Sequence, residues 1–499
     1  MCVGALVARG QTTRGSADVW LDRARGELEV RAQQQVLKTE GVFGEMDLAG
    51  ELVRLRGDEQ DRGMLRKLMD LPLDRPEGME AEAFGVFREM ARANAQAALG
   101  EIAEAEKSLK ACESKVGSVF ANEEMREFAA ELIRGKWVQG GKPEEAKRRI
   151  ADNSMRIRLL QYLFLTNQSA DAKKVLAEFK SEAIAKKNWE QMERIAGVLS
   201  QLGEESEALT AAYEMPAGAA QTRAYQAIAW VAMVEGRSKD AGCAIDLAIL
   251  SAREAKLRIE GWILLGLSAD NVGARELLNE IVDELDARGD EIKSGTHRAM
   301  MAMLCAGAER PTLLETWLKR ARESSAKPSE LSRERTSRDG ILIGAALARA
   351  GRIAEMHAEI DRAAKVHQGD FALRQDFSLL LNALVNAGKL EEAEQLNNTW
   401  VPSASSRWTL WRKIALMKLA AKDWEGAWKW AEMIDEPEAI RVGIQAFIVK
   451  KCVASGEKER AEKLFGKVSS GNGRIAMELV VAAEILGKRM MLEMMINPR

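Results

Sequence analysis

Histidine is almost missing from this chain, three residues in 499, and with it goes the commonest metal ligand and general base. His297 stands alone. His357 and His367 are too far apart to form a local ligand pair, and Asp361, one helical turn after His357, is ordinary in a chain with 30% charged residues. All three read as exposed or hydrogen-bonded side chains. The five cysteines, at 2, 112, 243, 305 and 452, are odd in number and scattered, with no Cys-x-x-Cys pair. That excludes a disulfide framework and a zinc knuckle, leaves at least three of them as small core residues on helices, and points to a reducing compartment. No glycine loop that would cradle phosphate, no Gly-x-Ser-x-Gly elbow and no His-Glu-x-x-His helix occurs. The 76 acidic residues single out no catalytic pair. The expectation is a non-enzyme without cofactor or metal.

Three further absences bound the fold and its partners. Only nine prolines occur, too few for a loop-rich or disordered chain. No apolar run approaches the roughly 20 residues that span a bilayer; the stretch from Gly261 to Leu267 is brief. Charge of one sign is not in excess, with 73 basic against 76 acidic residues and a formal charge of -3. No global field grips a phosphate backbone, so nucleic acid is disfavoured as the main partner.

What is present suits amphipathic helices: 46% apolar residues, with alanine about one residue in seven. One turn keeps returning, in which glycine ends a helix, four mostly polar residues follow, and alanine opens the next apolar stripe. It is clearest from Gly100 to Ala105, Gly141 to Ala146, Gly203 to Ala208, Gly236 to Ala241, Gly388 to Ala393 and Gly456 to Ala461. Weaker copies centre on Asn167, Ala269, Gly307, Gly351, Lys422 and Gly487. Glycine supplies the left-handed residue that stops the first helix, and the acidic residues then fall in the first turn of the second, where the helix dipole favours them. The twelve anchors lie about 35 residues apart, a length of helical-hairpin repeats. Alanine five residues past the anchor lets the paired helices approach closely. Apolar spacing before the anchors is helical, as in Met192, Ile195, Ala196 and Leu199.

These residues resemble the tetratricopeptide repeat family. Its helix-ending glycine and the alanine five beyond match as above, and its small residue seven before the glycine matches Ala93, Ala196, Ala229, Gly344 and Ala415. The one twelve past it survives in Cys112, Ala248 and Ala363, and the proline that closes each repeat is nearly absent. Other helical-hairpin solenoids, the pentatricopeptide type among them, stay open. The resemblance implies an all-α, right-handed superhelical solenoid of about twelve antiparallel helix pairs.

The expected organisation is an N-terminal extension over 1–15, an N-terminal helical cap or degenerate repeats over 16–78, a first block over 79–322, an irregular Ser- and Arg-rich loop over 323–340, and a second block over 341–499. The run from Cys2 to Ala8 would serve as the tail of a signal peptide if translation began upstream; otherwise it is a frayed terminus. The location read from this is cytoplasmic, with export as the alternative.

Two features are candidate partner surfaces. By the resemblance, the first helix of each pair lines the concave face, which puts Asn382 and Asn386 on one hairpin and Arg412 and Lys413 on the next, a set similar to the clamp some members use for a peptide's terminal carboxylate. The second is aromatic: half of the twelve tryptophans lie between 400 and 430, among them Trp408 and Trp411, with Arg407, Arg412, Lys413 and Lys429 interleaved. They read either as inter-repeat core or as a groove lined by indoles. The function expected is a scaffold that binds a protein or peptide segment, of unknown identity and with oligomeric state open. The alternatives are pentatricopeptide-like RNA binding and an enzyme with an unrecognised site.

Overall fold

The computed structural model describes residues 2–33, 44–72, 75, 80–120, 123–139, 142–148, 153–166, 168–325, 333–366, 375–400, 404–434, 438–469, 471–486 and 488. Among these, regular structure is helical, with no strand. In chain order the helices are α1 (Cys2–Ala32), α2 (Glu45–Leu55), α3 (Glu59–Asp70), α4 (Ala81–Leu99), α5 (Ile102–Val119), α6 (Glu123–Gln139), α7 (Pro143–Arg148), α8 (Asn153–Leu165) and α9 (Ser169–Ala185). Then come α10 (Trp189–Gln201), α11 (Glu205–Tyr213), α12 (Ala219–Val234), α13 (Ser238–Glu254), α14 (Ile259–Asn271), α15 (Arg275–Ala287), α16 (Gly295–Gly307), α17 (Pro311–Ser325) and α18 (Arg333–Arg349). The last are α19 (Ile353–Val366), α20 (Gln375–Asn386), α21 (Leu390–Trp400), α22 (Ala404–Ala420), α23 (Trp424–Glu432), α24 (Glu438–Ala454), α25 (Lys458–Phe465) and α26 (Asn472–Ile485). The chain is an all-α array of helical hairpins.

The turn read from the sequence is the hinge of these hairpins. Gly236 has φ +77°; its N–H reaches Met233 O at 2.8 Å and that of Arg237 reaches Ala232 O at 2.8 Å. This paired closure satisfies two of the carbonyls that a helix end leaves bare. Gly388 repeats it with φ +72°, as do Gly203, Gly351 and Gly456. The alanines five residues on, including Ala105, Ala208, Ala241, Ala393 and Ala461, are all buried.

Two anchors fall elsewhere than expected, and further left-handed turns appear where none was read. Ala269 lies inside α14, and its turn is made by Gly273 at φ +72°. Gly307 is helical, and the left-handed residue there is Glu309. Gly57, at φ +71°, turns α2 into α3, so part of 16–78 is a hairpin of the array. Lys187 is left-handed too, as is Lys256, in the links between hairpins. Gly141, Asn167 and Gly487 lie outside the described residues.

A second repeating device was not anticipated. The basic residue after the anchor reaches back to an acid on the second helix of the preceding hairpin: Arg237 to Glu205, Arg310 to Asp283 at 3.1 Å, Arg352 to Glu315, and Lys142 to Glu106 at 3.6 Å. Such partly exposed pairs contribute about 0.2–1 kcal/mol each, and they set the register of neighbouring hairpins more than they stabilise them.

The chain divides into two compact units, one of residues 1–182 with 436–498 and one of 183–435. The division expected at 323–340 is not found. The first helix α16 packs directly on α18, and α18 already begins at Arg333, inside the stretch read as a loop. Ser337 and Asp339, read as part of that loop, are buried. Likewise 2–15 are the beginning of α1.

In the first unit the first helices form a row in which α24 packs on α26, α26 on α2, α2 on α4, α4 on α6 and α6 on α8. The C-terminal helix α26 takes its outer partner from the other end of the chain, for α1 lies against it. Trp20 meets Phe465 edge-on at 5.0 Å, Arg23 pairs with Glu462 at 2.7 Å and Arg474 with Glu27 at 2.7 Å. The ends of the chain thus complete a hairpin between them.

Candidate functional site

In the second unit the row of first helices is α10, α12, α14, α16, α18, α20 and α22, each packed on the next, and α22 returns to touch α12. The carbonyl of Ala420, at the end of α22, lies 3.5 Å from where a Cβ on Gly236 would sit. Six first helices, α12 to α22, therefore curl into a ring, and side chains distant in sequence meet on its inner side.

Asp270, in the last turn of α14, is the hub. Arg349, in the last turn of α18, donates to both of its carboxylate oxygens, with Nη2 at 2.8 Å and Nε at 3.2 Å from Oδ1. Asn386, at the end of α20, donates from Nδ2 to Asp270 at 3.1 Å and to Asn271 Oδ1 at 3.2 Å. The same Asn271 oxygen accepts from Lys413 Nζ at 3.1 Å. Glycine at 307 is required here, since a Cβ would come within 2.6 Å of Asp270 Oδ1 and 3.2 Å of Leu278. Gly307 thus clears the path of the hub side chain rather than making a turn.

Of the residues singled out from sequence, Asn386 and Lys413 are brought together by this network, through Asn271. Burial pushes the Lys413 ammonium down to about 8, against the upward pull of Asp270. Asn382, one turn before Asn386 on the same face of α20, is half-buried. Arg412 is different. Its guanidinium lies 6.0 Å over the ring of Trp408. Its Nε is buried with no acceptor, and none of the described carboxylates pairs with it. Burial alone lowers its pKa, with no opposing charge to restore it.

The tryptophans separate into two groups. Trp411 is 3% exposed and stacks on Trp430 at 5.4 Å with 29° between the rings, so it belongs to the seam between α22 and α23 and is no groove anchor. Trp424 and Trp428, one turn apart on α23, are both buried. Trp408 alone of the two candidate indoles keeps a part-exposed face.

The remaining candidates for chemistry are structural. His357 Nε2 lies 2.5 Å from Glu392 of the next hairpin, the backbone N–H of His297 is capped by Ser294 at 3.1 Å, and His367 lies outside the described residues. Cys112, Cys305 and Cys452 are buried and Cys243 is exposed, and these four form no disulfide. Burial pushes the Cys112 thiol up to about 11 and the Cys305 thiol up to about 12, which makes both inert.

Asp270, Asn271 and Arg349 escaped the sequence reading. Their only signal was a polar pair, Asp270-Asn271, ending an unusually apolar helix, because the bonds that join them to α18, α20 and α22 span 79, 116 and 142 residues.

No protein-family model and no curated protein matches the sequence. Among solved structures the chain is similar to a pentatricopeptide repeat protein from maize, at 13% identity over 87% of this chain and 75% of that one, with a TM-score of 0.24. It is also similar to a circular tandem repeat protein with a novel repeat topology, at 14% identity over 95% and 94%, with a TM-score of 0.14. The described residues form an all-α array of helical repeats. No helix among the described residues is long and apolar enough to cross a membrane.

Proposed function

We propose that this protein is a non-catalytic scaffold that holds a segment of a partner protein against the inner row of first helices in the second unit. The observation that carries the reading is Arg412. A desolvated guanidinium without counter-charge is costly, and the half-buried Trp408 and Asn382 lie on the same row of helices. A surface of this kind gains what the free protein lacks when a partner supplies the missing acceptors.

Protein is favoured over nucleic acid by the charge distribution. Apart from Arg412, arginines of this unit such as Arg349, Arg223 and Arg310 are already matched, by Asp270, Glu193 and Asp283. A phosphate backbone would have few free cations to meet.

The test is an affinity capture with the full chain and with Asn382, Asn386 and Arg412 changed together to Ala, read by mass spectrometry and by nuclease-sensitive absorbance. A protein captured by the parent chain and lost by the variant supports the reading. Nuclease-sensitive, salt-labile RNA in its place overturns it. Point changes are preferable to truncation, because removing α22 would open the ring at α12.

A further inference from the structure

We infer that Arg412 and Lys413, at neighbouring positions of α22, form a receptor for a dianionic phosphoryl group at the inner row of the second unit. The inference rests on the reading of that row as the binding face and names the group it takes.

Four observations lead to it. The Arg412 guanidinium has no carboxylate partner among the described residues, and its buried Nε has no acceptor, whereas Arg223, Arg310 and Arg349 of the same unit are paired. Lys413 bonds only a neutral amide oxygen, Asn271 Oδ1 at 3.1 Å. The one carboxylate of the network, Asp270, is already engaged by the forked guanidinium of Arg349. The cluster of Arg349, Arg412, Lys413 and Asp270 therefore carries two positive charges more than it balances internally.

A guanidinium and an ammonium are donors only, and both are charged. A phosphoryl dianion offers three acceptor oxygens and two charges, and arginine meets it through paired N–H groups. A monoanionic carboxylate would leave one cation unmatched. The indole of Trp408, stacked against Arg412, holds the guanidinium in place for the anion.

The experiment is isothermal titration calorimetry of the full chain with inorganic phosphate at low chloride and pH 7, with acetate in parallel, repeated on Arg412→Met and Lys413→Met. Circular dichroism and the melting temperature report whether each variant folds, and Arg412→Lys serves as the charge-preserving variant. The expected result is one phosphate site per chain, weakened at least tenfold by Arg412→Met and by Lys413→Met and weakened less by Arg412→Lys. Acetate bound as well as phosphate, no phosphate bound, or phosphate bound equally by folded Arg412→Met overturns the inference. If phosphate fails while protein capture still depends on the same residues, the scaffold reading stands and this inference alone falls. If capture fails while phosphate binds, the reverse holds.

Discussion

Glu478 in α26 is fully buried, and neither carboxylate oxygen has a hydrogen-bond partner. Burial, with Glu27 and Glu462 adding repulsion, pushes its pKa up to about 8 from 4.5, and Arg474 and Arg23 oppose this without prevailing. Arg474 stands 3.9 Å away but gives its closer contact, 2.7 Å, to Glu27 of α1. The folded chain thus holds a proton on Glu478 through a range in which the unfolded chain has lost it. Between pH 4.5 and 8 the native state binds more protons, so stability falls as pH rises, by about 1.4 kcal/mol per unit. Over the whole window the loss is on the order of 5 kcal/mol, nearly complete by pH 8. Because α1 and α26 come from opposite ends of the chain, the loss is felt where they close the first unit. Glu478→Gln keeps the shape and removes the charge. Hydrogen exchange followed by mass spectrometry at pH 5.5, 7 and 8.5, corrected for the intrinsic rate, should show protection in 17–32 and 472–485 falling with pH in the parent chain. The fall should be much shallower in the variant. The shallow slope that remains belongs to Glu27, whose carboxyl burial also raises. Parallel slopes in the two proteins would refute the argument, since the buried carboxyl would then not be the group that titrates.

Four further outcomes follow from the second unit. Asp270→Asn, which strips Arg349 of its charge partner in a network only 9% and 19% exposed, should cost about 3 kcal/mol in urea unfolding; adding Arg349→Met should recover part of that loss, and additive losses would mean the pair is not coupled. Gly307→Ala should lower the melting temperature by the equivalent of about 1–3 kcal/mol, despite alanine's better helix propensity, because the new methyl meets Asp270; a rise would show that the hub side chain moves freely. Lys422→Gly relieves a left-handed lysine at φ +58° and should stabilise by about 1 kcal/mol, read as a higher melting temperature. Lys413, held down to about 8, makes the folded chain bind fewer protons than the unfolded one from pH 8 to 10.5. Stability should therefore rise with pH across that window, and Lys413→Met should flatten the rise in a pH series of urea midpoints.

The hairpin was legible in the sequence because everything that makes it is local. A left-handed glycine, acids in the next first turn and an alanine at the crossing all lie within six residues, and Gly236 to Ala241 carries the whole argument. Where the same backbone position is filled by another residue, at Glu309, Lys187 or Lys256, the strain is borne by the flanking helices, and the letter gives no warning. Gly307 shows the converse: it looked like a turn and is a clearance for Asp270. The candidate face was half legible for a related reason. Asn386 and Lys413 could be placed on successive first helices from the repeat alone, but what they bond depends on how far the row curves. A curvature summed over six helices brings Asn271 to Lys413 across 142 residues, and a small change in each hairpin's rotation would separate them. In the first unit α26 lacks a second helix of its own in the described chain, and α1 fills the place. Neither end carries a motif for the other; what couples them is a pair of faces, Trp20 and Arg23 on one side and Phe465 and Glu462 on the other, whose fit of ring to ring and charge to charge no local pattern announces.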